Sequence, residues 1–103
     1  METGHKFDLS QFTEFKPGGI ARRDILKGQH FNARVICLDS GAEIPPRDES
    51  YEVLFYVVSG KGVISAGAKH WDVGPGSMVF APVGSRGIKC LEPLTILGIQ
   101  EPH

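Results

Sequence analysis

Thirteen glycines and seven prolines spread over 103 residues constrain this chain more than any other feature. An interior proline removes a helical hydrogen bond and clashes with the preceding turn, and an interior glycine costs about 1 kcal/mol relative to alanine. Few windows are left for an amphipathic helix. Between the breaks lie short apolar runs rich in β-branched and aromatic residues. Turn signals recur about every 8 to 12 residues, the spacing of a small sandwich or barrel.

In chain order, Phe7, Leu9, Phe12 and Phe15 precede the Lys16-Pro17-Gly18-Gly19 break and read as a packing arm laid against the body, with room for one helical turn from Gln11 to Lys16. Ile20 to Leu26 and Phe31 to Leu38 read as strands around a turn at residues 27–30. The stretch GAEIPPRDESYEVLFYVVSGKG, Gly41 to Gly62, carries a Pro-Pro step, the charged residues Arg47, Asp48 and Glu49, an apolar run from Val53 to Val58, and a turn at Gly60 and Gly62. Further strands are predicted at Val63 to Ala66, Lys69 to Val73, Ser77 to Ala81, Gly87 to Leu91 and Leu94 to Gln100, with Glu92-Pro93 separating the last two.

A chain of this length forms one domain, here an arm over 1–19 and a barrel over 20–100, so the core must double as the site. With 41% hydrophobic residues, 22% charged and a net charge of -1, neither disorder nor an electrostatic hold on nucleic acid or a membrane surface is indicated. No apolar run reaches the roughly 18 residues of a membrane span, and METGHKFDLS lacks the marks of a signal peptide. The expectation is a soluble, cytoplasmic protein. Cys37 and Cys90 sit apart in strands, forming no CxxC pair, and read as buried, reduced thiols.

Two glycine-framed segments resemble the motifs of the cupin superfamily, small RmlC-like jelly-roll barrels also described as double-stranded β-helices. Gly41, Arg47, Glu49, Val53 and Gly60 keep the spacing of the first motif, and Gly76, Pro82, Gly84 and Gly87 that of the second. The resemblance covers residues 31 to 100 best and implies an all-β, single-domain cupin. In that family two histidines and a glutamate of the first motif and a histidine of the second converge on a divalent metal. Here Arg47 and Glu49 stand for the two histidines, Val53 for the glutamate and Gly87 for the last histidine. Three of these four residues have no metal-donor atom, so the motif is degenerate and no metal cofactor is expected. A bulge within residues 51–54 would instead turn Glu52 inward beside Glu49, an oxygen set suited to magnesium or calcium.

If the family's inward positions hold, the pocket is formed by Arg47, Glu49, Val53, Phe55 and Gly87, with Lys89 inward by alternation from Gly87 and Cys90 on the other face. The missing imidazole at Gly87 would leave a void. Arg47 would hold a carboxylate or a sugar oxygen while Glu49 accepts a hydrogen bond, or the two would simply pair with each other. Arg86 either reaches the mouth or decorates the corner. None of the four histidines, His5, His30, His70 and His103, is placed as a base, and the two near the chain ends read as mobile. The function implied is small-molecule binding, of a carbohydrate or a small carboxylate, without the usual metal. Its rivals are an isomerase- or epimerase-like enzyme, a metal-dependent enzyme with unusual carboxylate ligands, and a dimeric structural or regulatory module with a closed barrel mouth. The outward residues Leu54, Tyr56 and Val58 with Ile96, and an arm able to cross to a partner, lead to the expectation of a homodimer.

Overall fold

Two strands much longer than the sequence predicts carry the architecture. A computed structural model describes residues 3–103. Its strands are β1 (Ile20–Lys27), β2 (Asn32–Leu38), β3 (Glu43–Glu49), β4 (Val53–Ala66), β5 (Lys69–Val73), β6 (Met78–Ala81) and β7 (Gly84–Gln100). The predicted breaks inside β4 and β7 are not breaks, because Gly60, Gly62, Glu92 and Pro93 all lie within continuous strands.

β4 and β7 pair antiparallel from Val53↔Gln100 to Ala66↔Arg86, with register shifts between Val57 and Gly62. These shifts bend the ribbon into a V. On one arm of the V, β6 flanks β4, while β2 and then β1 flank β7. On the other arm, β5 flanks β4 and β3 flanks β7. The two resulting sheets face each other across one core that includes Leu38, Phe55, Val57, Ile64, Ile88, Cys90, Leu94 and Ile96.

The glycines at the bend serve close approach rather than a hairpin turn. Gly60 has φ 89°, and a Cβ there would collide with the Pro93 carbonyl, while one at Gly62 would collide with the Lys89 carbonyl. The prolines of β3 have a matching explanation. β3 pairs only with β7, and its register shifts between Ile44↔Ile88 and Arg47↔Arg86, so Pro45 and Pro46 together oppose Gly87 in a bulge. An edge strand with a bulge tolerates prolines because their missing N–H groups are not needed by a neighbour.

Outside the barrel, a 3-10 turn at Leu9–Gln11 takes the place of the predicted helical turn, and Leu9 and Phe12 pack on Ala21, Val35 and Cys37. The arm thus folds onto its own barrel. Its root is fixed where the Gly18 N–H donates to the Asp39 carboxylate at 2.7 Å. Ile96 was expected on the outer face but lies fully buried inside the barrel. Tyr56, Met78 and Phe80 are exposed on the outer face instead. Cys37 and Cys90 are free and buried, on the outer and inner sides of the sheet respectively. No helix among the described residues is long and apolar enough to cross a membrane.

Candidate functional site

At the tips of the V the barrel opens into a cavity of about 620 Å³. Its lower wall is apolar, formed by Ile20, Ile36, Ile44, Val53, Phe55 and Ile88, and its mouth is polar, with Arg34, Arg47, Arg86, Glu49, Tyr51 and Gln100, while Arg22 is level with Ile36 and the exposed Glu43 lies beyond Ile44 toward the bend. Of the predicted pocket residues, Arg47, Glu49, Val53, Phe55 and Gly87 line this cavity.

Lys89 does not. Along the first half of β7, Arg86, Ile88 and Cys90 are buried while Lys89 and Leu91 are exposed. Alternation counted from Gly87 is therefore out by one residue, and in a strand that error moves every side chain to the opposite face. Arg86 is the inward cation and Cys90 belongs to the core. Gly87 leaves no void either: a Cβ there would lie 3.0 Å from the Ile44 carbonyl oxygen and 3.0 Å from the Pro46 nitrogen, because the bulged backbone of β3 occupies that space.

Glu52 also faces away. β4 runs in unbroken register through Val53↔Gln100 and Leu54↔Ile99, with no bulge to turn Glu52 inward. Its side chain is exposed, and its backbone N–H donates to the Glu101 carboxylate at 2.7 Å.

Arg47 lies at the rim, 74% exposed, 3.4 Å from the Glu49 carboxylate. The same Glu49 oxygen accepts from the Tyr51 hydroxyl at 3.3 Å. Burial, followed by the nearby Glu49 charge, raises the Tyr51 pKa and keeps the phenol protonated. One face of the Tyr51 ring is 4.8 Å from the Arg86 guanidinium carbon, and the ring stacks on His103 at 3.7 Å. His103 thereby lies against the site wall.

Arg86 is the least exposed charge at the mouth, at 7%. Its Nη2 donates to the Tyr51 carbonyl and, at 3.1 Å, to the Pro82 carbonyl. These acceptors lie beside the tip of the other arm of the V, so Arg86 straps the two sheets together. Nε and Nη1 have no hydrogen-bond partner among the described residues. Leaving a buried donor unpaired costs about 1 to 3 kcal/mol, and because both nitrogens have less than 1 Å² of accessible surface, an acceptor in the cavity meets them once the guanidinium turns. Arg34 is spoken for by Asp24, 2.9 Å away, and the hydrogen bond from Arg34 holds the Asp24 carboxyl below its usual pKa. Among the described residues, Arg22 and Arg86 enter no ion pair.

Sequence reasoning missed Arg22, Arg34, Tyr51 and Gln100 as wall residues. Alternation on β1 and β2 supplied a signal for Arg22 with Ile20 and for Arg34 with Ile36. Nothing local marked Tyr51, which lies between β3 and β4.

No family model matches the chain, and no curated protein matches it. Solved structures do. An RmlC-like cupin from Desulfovibrio desulfuricans is 16% identical, with a TM-score of 0.85 over 97% of this chain and 98% of that one. An RmlC-like cupin from Shewanella frigidimarina is 21% identical, with a TM-score of 0.82 over 98% and 93%. The chain has the cupin fold. A conserved protein with a double-stranded β-helix domain from Klebsiella pneumoniae is similar in the same way, 16% identical with a TM-score of 0.83 over 97% and 91%. At the cupin metal positions this barrel presents one donor, Glu49, whose carboxylate is already engaged by Arg47 and Tyr51. Among the described residues, no three His, Cys, Asp or Glu side chains cluster to hold an ion. Guanidinium groups beside such a site would oppose a cation.

Proposed function

We propose that this cupin-fold chain binds a small molecule in its barrel and holds it by arginine in place of a metal. The observation that carries the reading is Arg86, buried at the cavity wall with Nε and Nη1 unpartnered. Arg47, the anchor expected from the sequence, serves at the rim, because it is exposed and paired with Glu49. An open mouth also counts against a structural module, which requires a closed one. An isomerase- or epimerase-like enzyme is the second reading, favoured by the hydrogen bond between Tyr51 and Glu49, where a protonated phenol could donate to a substrate oxygen.

Thermal unfolding of the wild type and of Arg86→Gln, with a panel of sugars and small organic acids, tests the proposal. A ligand at about a hundred times its Kd adds about 2.7 kcal/mol and raises the Tm by several degrees. That shift is expected with at least one compound and is expected to vanish in Arg86→Gln. A panel that leaves the wild-type Tm unmoved overturns the reading.

A further inference from the structure

The cavity changes character at one height around most of its wall. On β2 the inward residues pass from Ile36 to Arg34, on β7 from Ile88 to Arg86, and on β3 from Ile44 to Arg47. The pairings place these changes side by side: Ile44 and Ile64 flank Ile88, while Arg47 and Ala66 flank Arg86. On the last segment of β7, the core residue Ile96 gives way through Gly98 to Gln100 at the tip. Only β4 stays apolar throughout, with Phe55 below Val53. The result is an aliphatic and aromatic floor under a collar of guanidinium groups.

Resting on the barrel-binding reading above, we infer that the ligand is an amphipathic monocarboxylate, its apolar body on the floor and its carboxylate at Arg86. A sugar suits the floor poorly. Its ring hydroxyls would leave water for side chains that offer no hydrogen bond, whereas an alkyl or aryl group gains from the same burial. At the collar, Arg86 enters no ion pair among the described residues and has two donors without a partner, so a carboxylate that draws the guanidinium round gains charge-assisted hydrogen bonds there. Glu49 stands in the same collar and repels a doubly charged head group, which favours a carboxylate over a phosphate monoester.

Calorimetric titration of the full chain with hexanoate, hexanamide, hexyl phosphate and galactose tests this. Hexanoate is expected to bind. Hexanamide, which has the same body without the charge, should bind at least tenfold more weakly, as should hexyl phosphate, and galactose should give no heat. The acid–amide comparison needs no substitution and so survives any folding defect in an Arg86 variant. In Arg86→Lys, which keeps the charge but loses the planar donor set, hexanoate should weaken about tenfold. Equal affinity for acid and amide, or preference for galactose or hexyl phosphate, overturns the ligand class. If hexanoate fails while another compound gives a thermal shift that depends on Arg86, the class falls and barrel binding stands. If nothing binds, both fall.

Discussion

The bend and the tips of the β4–β7 ribbon are built from the same two strands and follow opposite rules. At the bend, Val57, Ile64, Leu94 and Ile96 are fully buried, and the strands approach so closely that Gly60 and Gly62 have no room for a Cβ. At the tips the two arms of the ribbon stand apart around a cavity, and a buried arginine is left with unpartnered donors. The closed end spends its sequence on packing, where volume is everything. The open end accepts an unsatisfied polar group, a cost of the kind that natural proteins concentrate at functional sites. A stable barrel can carry such a mouth because the bend stabilises it independently.

The sharpest way to break that division is to substitute the bend. Gly60→Val puts a branched side chain at φ 89° and into the Pro93 backbone. A steric conflict that side-chain rotation cannot relieve, added to the backbone strain, should cost upwards of about 4 kcal/mol, with insoluble or largely unfolded protein in urea titration. A Gly60→Val variant within about 1 kcal/mol of wild type would show that the bend is looser than described.

Leu94→Ala and Arg86→Met compare the two ends directly. Leu94 is fully buried at the bend, so truncation should cost about 2 to 5 kcal/mol through lost transfer energy and a cavity. Arg86→Met loses the strap to Tyr51 and Pro82 but also removes the buried donors that have no partner. Replacing a buried charge with an apolar side chain of similar length often costs little, so the change should stay below about 2 kcal/mol while ligand binding is lost. If Arg86→Met destabilises as much as Leu94→Ala, Arg86 is mainly a strap and the mouth obeys the rule of the bend.

How much of this was legible in the sequence also divides along the ribbon. The all-β class and most strand positions follow from glycine and proline spacing and apolar runs, and the cupin frame from Gly41, Gly60, Gly76, Pro82 and Gly84. The bend was misread because a glycine needed for close approach and a glycine needed for a turn look alike in one dimension. Parity failed at the mouth for a related reason. Counting from Gly87 assumes that the motif position faces inward, whereas the Pro45-Pro46 bulge fills the space beside it and Arg86 takes the inward place. Arg22, Arg34 and Tyr51 meet only through long-range pairing, which no local pattern specifies.

The smallest effect tests how the collar is divided between held and available charge. Asp24 holds Arg34, and because the hydrogen bond from Arg34 lowers the Asp24 pKa below the ordinary 3.8, the pair adds stability above that value and loses it as pH falls further. The carboxylate is well exposed, so the contribution is at most about 1 kcal/mol and shrinks in salt. Asp24→Asn should therefore be slightly less stable than wild type at pH 7, with the gap closing in urea titrations near pH 3. Freed from its partner, Arg34 becomes one more unneutralised guanidinium at the mouth, and an anionic ligand should bind the variant more tightly, by a factor of about three at low ionic strength. Unchanged or weaker binding would mean that Asp24 orients Arg34 for the ligand instead of competing with it, and that the collar, like the bend, is set by geometry more than by charge.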